Sequence, residues 1–368
     1  MEYKLGDILE QVYDNNNDLK YGLNDIVGVT IEKKIIPTIA NLSTTDLRKF
    51  IIVKPSYFIY NPRTHGKKIG LGYNDTKNEY IATWNNNVFK IKDNMTNIID
   101  SDYLYIYFNR DNWDKEACFN AWGSSTVVLL WNDFCNMKIE LPSIAEQRRI
   151  VDIYKTISCR IDILNNIIEK GEQYCSKYFN ILFSFEENED KFGNYVSYMQ
   201  GNQMDLDEQY LQKKDNMVRF LRIVDYTNSS GYEPPRYVKI PTNATYTSED
   251  EISIVRYGSL GTICRRKEGI IANNLFKIIP NKIVGNNFIY YYLKQNNIQH
   301  LIKNSEGNSV MSAIKHSTIS ELPMPKYKEN DVIKFEKVAD NFEKQFLNYS
   351  KEIEILKKYR TILISTLS

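Results

Sequence analysis

Two short basic runs beside glycine are the part of this sequence best suited to binding an anion. The first occupies residues 61–68, and the second occupies residues 265–267, just after the glycine-containing turn 257–261. We expect the two runs to hold corresponding positions in the two halves of the chain, with their side chains reaching into solvent. Long cationic side chains can reach phosphate oxygens where the backbone approaches closely, and neighbouring Asn, Gln and Arg side chains can read base edges. We interpret both runs as candidate nucleic-acid contacts, with an ordinary solvated turn as the alternative for each. The candidate residues are Asn61, Arg63, Thr64, His65, Lys67, Lys68, Ser259, Arg265, Arg266 and Lys267.

Three further polar segments have a similar composition and a weaker signal. They lie at residues 122–125, 200–203 and 306–309, and each combines glycine with small polar side chains. We expect them on loops near the basic runs. Their candidate residues are Ser124, Ser125, Gln200, Asn202, Gln203, Asn308 and Ser309.

Several common catalytic motifs are missing from the sequence. It has no P-loop, nucleophile elbow, H-E-x-x-H pair or deaminase signature. Asn61-Pro62-Arg63 lacks the second proline and the aromatic residue of the N-P-P-[YF] loop found in amino-methyltransferases, and no glycine-rich cofactor loop accompanies it. The three histidines show no spacing typical of a metal site or a nucleophile. We therefore expect no catalytic residue, no metal and no cofactor on this chain.

The composition is that of a globular chain with room for about two domains. Its 368 residues are 42% hydrophobic and 25% charged, and the net charge is +1. Any nucleic-acid binding must therefore come from local patches. No apolar run is long enough to span a membrane, and Met1-Glu2-Tyr3-Lys4 lacks a signal-peptide layout, so we expect a cytoplasmic location. The five scattered cysteines are typical of reduced structural thiols.

Two long segments with helical periodicity must hold these loops in place. In the second segment, positions 332 to 363 alternate steps of three and four residues, and only Arg360 interrupts the apolar seam. This heptad pattern predicts a coiled-coil contact. The first segment has a comparable seam from Ile150 to Leu182, and Ile153, Ile167, Tyr174 and Ile181 widen its apolar arc. We therefore expect the first helix to pack against the second and also against a partner, rather than to form a hairpin inside one domain.

Between these helices, the patterns favour two α+β globules. Short runs rich in β-branched and aromatic residues predict strands, and two aromatic-rich segments, 101–109 and 287–295, predict short helices. The acidic run 186–190 marks the exit from the first long helix. The predicted strands are 50–53, 57–60, 87–91, 126–130, 217–223, 237–240, 252–255 and 275–279.

The sequence also repeats itself in the order globule, helix, globule, helix. Three segments of the first half have echoes in the second half, so the chain is expected to present two similar surfaces on a pseudo-twofold frame. The echoing pairs are 141–150 with 324–333, 86–91 with 273–278, and 103–108 with 288–293.

With these parts in place, the chain resembles the DNA-specificity subunits of type I restriction-modification systems. Their L-P-x-x-x-E-Q-x-x-I helix opening stands here as Leu141, Pro142, Glu146, Gln147 and Ile150. Segments 54–72 and 258–274 resemble the turns of two target-recognition-domain types. The second helix departs from the pattern with Glu329-Asn330, and Ser56-Tyr57 stands where Gly-Asp is common. The resemblance covers essentially the whole chain.

The resemblance implies a division of labour along the chain. Residues 1–142 and 186–325 would be two target recognition domains, each reading half of a bipartite, asymmetric site in double-stranded DNA. Residues 143–185 and 326–368 would be antiparallel spacer helices that set the gap and dock two methyltransferase subunits. Those subunits would carry S-adenosylmethionine and modify adenine, and translocase-nuclease subunits would join a restricting complex. The implied partner-contact residues are Leu141, Pro142, Glu146, Gln147, Ile150, Pro325, Glu329 and Ile333.

Two other interpretations remain open from the sequence. The leading alternative is a structural adaptor whose coiled coil bridges proteins and whose globules have no DNA specificity. The other is a nuclease or methylase with an unrecognised active site. With a net charge of +1, the isolated chain is expected to bind DNA weakly.

Overall fold

The structure is a computed structural model in which the chain divides into two units. It describes residues 1–38, 40, 42, 44–65, 68–123, 127–185, 190–228, 232–281, 283–304 and 313–367. Unit 1 comprises Met1–Cys159 with Tyr359–Ser368, and unit 2 comprises Arg160–Lys358. Each unit therefore combines a globule with parts of both long helices, whereas the division expected from the sequence gives each helix a segment of its own.

The described residues form short strands, short helices and two long helices. The strands are β1 (Glu2–Lys4), β2 (Leu9–Gln11), β3 (Ile26–Val29), β4 (Ile35–Pro37), β5 (Ile51–Val53), β6 (Phe58–His65), β7 (Lys68–Tyr73), β8 (Tyr80–Ala82), β9 (Asn87–Ile91), β10 (Lys138–Glu140), β11 (Val196–Gln200), β12 (Met217–Leu221), β13 (Arg236–Lys239), β14 (Tyr246–Thr247), β15 (Ile252–Val255), β16 (Ile263–Cys264), β17 (Gly269–Ile271) and β18 (Leu275–Pro280). The helices are α1 (Leu5–Ile8), α2 (Ser101–Phe108), α3 (Asp111–Phe119), α4 (Trp131–Asn136), α5 (Ile144–Leu182), α6 (Ile223–Thr227), α7 (Asn286–Leu293), α8 (Asn296–Asn304), α9 (His316–Ser320) and α10 (Glu329–Ser365). Short 3-10 turns lie at Leu23–Asp25, Leu47–Lys49, Asp93–Met95, Phe192–Asn194 and Leu206–Glu208.

Unit 1 contains two four-stranded sheets. One has the order β2-β9-β6-β7 and is antiparallel throughout. The other has the order β4-β3-β8-β5, in which only the β3–β8 pair is parallel. Apolar residues of the first sheet, such as Phe58 and Phe89, pack with α2 and α3 in one large core. The parallel pair requires a crossover between the sheets, so the chain passes from one to the other and back.

Unit 2 contains two four-stranded sheets with matching strand orders. They run β11-β18-β15-β16 and β13-β12-β17-β14, and the β12–β17 pair is parallel. Each of these eight strands occupies the place of the unit 1 strand numbered nine lower. The echo 86–91 with 273–278 follows from this match, because Phe89 pairs with Phe58 and Phe276 pairs with Ile254 at corresponding registers.

Most expected strands and helices are present, with two corrections. The prediction of a strand over 126–130 is wrong, because the described residues there make only two isolated bridges, from Val128 to Arg63 and to Trp122, and run into α4. The prediction of a strand up to Ile223 is also wrong at its end, because Ile223 begins α6, with Asp225 accepting a hydrogen bond from the backbone N–H of Arg222 at 2.8 Å. Both segments are apolar and β-branched, and pattern alone does not separate a buried turn from a strand.

The long helices bury part of the expected seam and leave its other positions half-buried. Within unit 2, Phe335 packs on Tyr178 and Phe179, whereas Phe342 packs on Tyr174, so α5 and α10 run antiparallel there. Gly171 permits their close approach, because an added Cβ would lie 2.2 Å from the ring of Phe346. In unit 1, the guanidinium of Arg360 lies 5.9 Å from the ring of Tyr154.

The wider apolar arc of α5 is exposed, as expected. Ile181 is 79% exposed and Tyr174 is 55% exposed, although both lie beside the buried seam. Ile163 and Ile167 extend this exposed stripe within unit 2, and Ile153 lies on the unit 1 part of α5. Among the helices of the described residues, none is long and apolar enough to cross a membrane.

Candidate nucleic-acid interface

The first basic run forms the hairpin between β6 and β7 in unit 1. Tyr60 pairs with Leu71 and Thr64 pairs with Ile69, so β6 has two extra residues between these pairs and bulges. Asn61 stabilises the bulge, because its side-chain oxygen accepts a hydrogen bond from the backbone N–H of Arg63 at 2.9 Å. A bulge changes the direction in which the side chains of a strand point, and bulges are frequent beside functional sites. Here the bulge carries the exposed side chain of Arg63.

A neighbouring segment holds the other side of this hairpin. The backbone N–H of Thr64 donates to the carbonyl of Val127 at 3.0 Å, and the N–H of Leu129 donates to the carbonyl of Pro62 at 2.8 Å. Val128 also bridges to Trp122, whose side chain is 72% exposed. An exposed indole and an exposed guanidinium therefore flank the same backbone segment, a combination suited to sugar-phosphate and base contact.

A buried ion pair supports the hairpin from inside unit 1. Lys33 Nζ lies 2.5 Å from Asp114 Oδ1 and donates to the carbonyl of Ile69 at 2.7 Å. The same carboxylate accepts the backbone N–H of Ile69 at 3.1 Å. Burial lowers the pKa of Lys33, while Asp114 opposes the shift. Both backbone groups of Ile69, beside the exposed Lys68, are thereby fixed. Sequence reasoning missed Lys33 and Asp114, because they are 81 residues apart and neither belongs to a motif.

The corresponding hairpin of unit 2 joins β15 to β16 and carries Ser259. Gly258 and Gly261 have positive φ values of 87° and 74°, so the turn uses a left-handed conformation that favours glycine. Ser259 is exposed, and its carbonyl accepts a hydrogen bond from the hydroxyl of Thr262 at 2.8 Å. The backbone N–H of Ile314 donates to the carbonyl of Arg256 at 2.9 Å, as that of Leu129 does to Pro62 in unit 1.

The second basic run does not occupy the position expected for it. Residues 265–267 follow β16, so their counterpart in unit 1 is the segment after β7 rather than the hairpin 61–68. The expectation that these side chains project into solvent is wrong for Arg265 and Arg266. Arg266 donates to Glu343 at 2.9 and 3.0 Å and to Glu172 at 2.6 Å, and the Arg265 side chain is only 4% exposed. In this conformation, phosphate contact by these side chains would require them to leave the carboxylates of the long helices.

Carboxylates of the long helices also bind Lys267 and Lys294. Lys267 Nζ lies 3.3 Å from Glu354, and Lys294 Nζ lies 2.5 Å from Glu172. Burial alone would raise the pKa of Glu172, but Arg266 and Lys294 outweigh it and lower that pKa to about 2. The run 265–267 thus fastens the unit 2 globule to α5 and α10.

The polar segment at 200–203 also has an internal role in unit 2. Gln200 donates to the carbonyls of Asn273 and Leu275 at 2.5 and 3.1 Å and accepts from Arg256 at 3.0 Å. Asn202 accepts from the backbone N–H of Thr245 at 2.7 Å and donates to the carbonyl of Asn243 at 2.8 Å. These side chains join neighbouring strands and leave little capacity for DNA.

Gln203 is exposed, and its side-chain oxygen accepts a hydrogen bond from Asn273.

Several candidate residues lie outside the described part of the chain. Lys67, Ser124, Ser125, Asn308 and Ser309 lie outside the described residues, and only the backbone of His65 is described, as the last residue of β6. Contact of any candidate with DNA stays a prediction.

The residues expected to contact partner subunits divide by burial. Gln147 is fully buried, because its side chain donates to the carbonyls of Ile98 and Pro142 at 2.8 and 2.9 Å and accepts from the N–H of Asp100 at 3.0 Å. It fixes the start of α5 to the globule, and it is closed to partner contact in this conformation. Leu141 and Pro325 are also buried; Pro142, Glu146 and Ile150 are half-buried; Glu329 and Ile333 are exposed.

Metal binding has no support in the described part of the chain. No group of three or more His, Cys, Asp or Glu side chains there is arranged to hold a metal ion. All five cysteines are free.

Comparison with known proteins identifies the family of the first half. Residues 1–173 match the family described as "Type I restriction modification DNA specificity domain". No curated protein has significant sequence similarity to the chain.

Solved structures resemble the chain over its full length. The crystal structure of a type I restriction-modification system S subunit from M. genitalium shares 18% identity with a TM-score of 0.57, covering 100% of this chain and 95% of that one. The HsdS subunit from Thermoanaerobacter tengcongensis shares 14% identity with a TM-score of 0.37, covering 100% and 96%. A chain from a structure of complex assembly and conformational transition of the type I R-M system shares 13% identity with a TM-score of 0.41, covering 100% and 97%. At this level of identity, the first likeness shows the fold alone.

Proposed function

We propose that this type I restriction-modification DNA-specificity subunit, identified by its first 173 residues, reads a bipartite double-stranded target with one half for each unit. The observation that carries the proposal is the repeated strand order. The matched family domain includes the sheets of unit 1, and unit 2 repeats both sheet orders with the same parallel pair. A second copy of a DNA-specificity domain on one chain is best explained as a second reader.

The hairpins are the proposed readers within each unit. In unit 1, Arg63 and Lys68 would contact phosphates, while Asn61, Thr64 and the exposed ring of Trp122 would lie near base edges or sugars. In unit 2, the corresponding turn carries Ser259 and has no basic side chain between Tyr257 and Thr262. The hairpins therefore differ in length and charge, so the two halves of the target would differ as well.

The long helices are proposed to set the gap between the two half-sites. A helix of 39 residues, the length of α5, is about 58 Å long. That length is compatible with two readers separated by more than one turn of DNA, which is about 34 Å. The antiparallel packing seen within unit 2 supports a coiled-coil spacer. A pseudo-twofold frame would follow if both units attach to this spacer in the same way.

The exposed stripe on α5 is the proposed dock for methyltransferase subunits. Ile163, Ile167, Tyr174 and Ile181 present apolar side chains that are between 43% and 79% exposed. Two such subunits would bring S-adenosylmethionine and modify adenine, and translocase-nuclease subunits could join them. This chain would then supply the DNA sequence specificity and the scaffold, without a catalytic residue of its own. We place this assembly in the cytoplasm.

The family match does not favour the adaptor alternative, because an adaptor needs no DNA-specificity domain. No observation in the described residues favours a nuclease or methylase site.

An exchange of one globule tests the two-reader proposal. Residues 190–325 would be replaced by the equivalent segment of another specificity subunit, and the chimera would be expressed with the methyltransferase subunit of this system. Sequencing of methylated DNA is expected to show that one half of the target changes while the other half and the gap stay the same. A change in both halves, or in neither, would contradict the proposal.

The control separates folding from reading. A chimera that methylates no DNA is informative only if it still binds the methyltransferase subunit, which co-purification measures. The complementary exchange of residues 1–142 is expected to change the other half of the same target.

A further inference from the structure

Arg63 and Trp122 lie on one face of a small sheet beside the β6–β7 hairpin. Val128 forms antiparallel bridges to both residues, so the segment around Val128 runs between the bulge of β6 and the segment around Trp122. The backbone N–H of Trp122 donates to the carbonyl of Val128 at 3.0 Å, and the N–H of Val128 donates to that of Trp122 at 2.9 Å. Residues that pair in register share a face of the sheet, and their Cβ atoms are about 5 Å apart, so those of Arg63 and Trp122 are about 10 Å apart.

The indole of Trp122 is exposed and has no ring partner. Trp84, Trp113 and Trp131 each contact a phenylalanine ring, at centroid distances of 5.6, 4.8 and 5.4 Å. No such contact within the described residues involves Trp122, which is 72% exposed. Gly123 has a φ of 142°, which side chains rarely adopt, so the chain can turn directly after Trp122. A single exposed apolar residue is common on protein surfaces, and the information here comes from its position beside Arg63.

The guanidinium of Arg63 is available to an anion. Arg63 is exposed, and its side chain makes no ion pair or hydrogen bond with any described residue, whereas its backbone N–H donates to Asn61. Arg266, in the other basic run, is instead paired with Glu172 and Glu343. The family that matches residues 1–173 is a DNA specificity domain. A free cation for a phosphate and an apolar ring for a base therefore stand on one face of that domain.

Thymine offers such a ring an apolar target in intact double-stranded DNA. Base faces are stacked inside the duplex, so a protein reaches base edges from the grooves. In the major groove, these edges carry hydrogen-bond donors and acceptors, and thymine adds its C5-methyl group. An indole gains free energy when it covers a methyl group. It gains less when it covers the amino group of cytosine, which then loses a hydrogen bond to water.

We propose that Trp122 determines specificity in unit 1 by packing on the C5-methyl group of a thymine in one half-site, while Arg63 contacts a phosphate of the same half-site. Arg63 would supply affinity without sequence preference, and Trp122 would supply preference for one A·T pair. Unit 2 contains no tryptophan, so this contact belongs to one half of the target. The role of Trp122 rests on the proposed function and deepens it, because it names a residue and the base that it contacts.

Replacement of thymine by deoxyuridine in the target removes the methyl group and keeps every hydrogen-bonding group of the base. Sequencing of methylated DNA first defines the target, and the half read by unit 1 is the half that changes when residues 1–142 are exchanged. Fluorescence anisotropy then measures binding of the full-length chain, with its methyltransferase subunits, to duplexes in which each thymine of that half is replaced in turn. One replacement is expected to weaken binding about fourfold, the factor that burial of one methyl group implies. A half-site in which no thymine is sensitive, or which has no thymine on either strand, would overturn the proposal.

A double-mutant cycle assigns the sensitive methyl group to Trp122. Trp122→Ala is expected to weaken binding of the thymine duplex about tenfold and to bind the thymine and deoxyuridine duplexes equally well. Trp122→Phe keeps an apolar ring and is expected to keep part of the difference. A fourfold difference that persists in Trp122→Ala would refute the assignment to this residue. Tyr13→Ala is the matched control, because Tyr13 is also 72% exposed and follows β2, which forms the opposite edge of the sheet from β7.

Arg63→Met is expected to give a different result on the same face. Loss of a phosphate contact should weaken binding of the thymine and deoxyuridine duplexes by the same factor. It should also reduce the slope of log affinity against log salt concentration by about 1. A changed preference for thymine in Arg63→Met would contradict the division of roles between the two side chains.

Two further measurements separate other uses of the Trp122 ring. Loss of co-purification of Trp122→Ala with the methyltransferase subunits would mean that the ring binds protein, which would overturn the DNA contact. A 2-aminopurine base beside the sensitive thymine is expected to keep its quenched, stacked fluorescence. A rise on binding that Trp122→Ala abolishes would mean that the ring inserts between bases, and it would overturn the methyl contact.

Failure of the proposed function is distinguishable from failure of the Trp122 contact. The first would appear with the unmodified chain, as methylation without a two-part target sequence. The second would leave the two-part sequence in place and remove only the effect of deoxyuridine. The urea transition of the three other tryptophans shows whether Trp122→Ala is folded.

Discussion

The two units share a strand order and differ in how ionic groups hold their hairpins and loops. In unit 1, the buried ion pair lies inside the globule, where Lys33 and Asp114 fix Ile69 in the β6–β7 hairpin. In unit 2, the buried ion pairs join a loop to the long helices, with Arg266 held by Glu172 and Glu343. The first arrangement fixes the β6–β7 hairpin, whereas the second fastens the unit 2 globule to the long helices.

This difference shows that the topology does not depend on either set of charges. The segment of unit 1 that corresponds to residues 265–267 contains Asn74 in place of a basic run. Asn74 is buried, and its side chain donates hydrogen bonds to the carbonyls of Val53 and Asn78 at 3.1 and 2.9 Å. Apolar strands with a shared register therefore specify the fold in both units. Buried charges add a preferred orientation, for which removing one partner is costly although the intact pair adds little net stability.

The largest expected effect comes from Glu343→Leu in unit 2. Glu343 accepts hydrogen bonds from Arg266 and from the hydroxyl of Tyr291 at 2.9 Å, and its side chain is 8% exposed. Its removal leaves a buried guanidinium without this partner, so unit 2 is expected to lose about 3–5 kcal/mol of unfolding free energy. Hydrogen exchange of peptides from α7 and β12 measures this loss.

Unit 1 supplies the internal comparison for this variant. All four tryptophans, Trp84, Trp113, Trp122 and Trp131, lie in unit 1, so the urea dependence of their fluorescence reports that unit. Glu343→Leu is expected to leave this transition in place. The matched control is Glu352→Leu, which removes an exposed carboxylate paired with Arg160 and is expected to change neither unit measurably. Equal losses in both variants would contradict the importance of the buried network.

The reciprocal change is Lys33→Met, which is expected to affect unit 1 alone. It leaves Asp114 buried with only the N–H of Ile69 as its described hydrogen-bond donor, so a loss of about 3 kcal/mol in the tryptophan-monitored transition is expected. Lys33 has a φ of 61°, and methionine is strained there to a similar degree, so the change isolates the charge. Lys34→Met, at the exposed neighbouring residue, is the control. A shift confined to unit 2 peptides would refute the assignment of this pair to the unit 1 hairpin.

Local periodicity explains which parts of the fold were predictable. The heptad seam of α10 is buried at five positions between Val332 and Ile353 and half-buried at Phe342 and Tyr349, because a helix has one repeating geometry. The echo around Phe89 and Phe276 also marked equivalent strands correctly. Both signals use residues close together in the sequence, where spacing determines which side chains share a face.

The candidate site was harder to predict because its partners are distant in sequence. Arg266 bonds to carboxylates 77 and 94 residues away, and nothing in the run 265–267 distinguishes a solvated loop from a docked one. Gln147 similarly looked like a surface residue of a helix opening, yet it caps the globule through groups 47 and 49 residues upstream. The type of a charged or amide residue does not show whether its hydrogen-bond partner is water or a buried group of the protein.

The smallest of the expected effects is a loss of unit 2 stability in acid. The pKa of Glu172 is about 2 in the folded chain, below its ordinary value of 4.5, so its contribution is present above pH 4.5 and is lost as the pH falls from 4.5 to about 2. The lowering of this pKa from 4.5 to about 2 corresponds to a contribution of at most about 3 kcal/mol. Burial raises the pKa of Glu336, so Glu336 has the opposite effect: lowering the pH towards 4.5 stabilises the folded unit. This stabilisation is complete near pH 4.5, where the loss from Glu172 begins.

Comparison with Glu172→Gln isolates this carboxylate from other acid effects. Hydrogen exchange of unit 2 peptides, measured against urea at several pH values, is expected to show a difference between the two proteins that shrinks from pH 4.5 towards pH 2. In unit 1, the carboxyls with lowered pKa values, Glu79 and Glu146, lie at the surface, so the tryptophan transition should not distinguish the two proteins. A difference that stays constant across the window would mean that Glu172 stabilises unit 2 through shape and hydrogen bonding rather than through its charge.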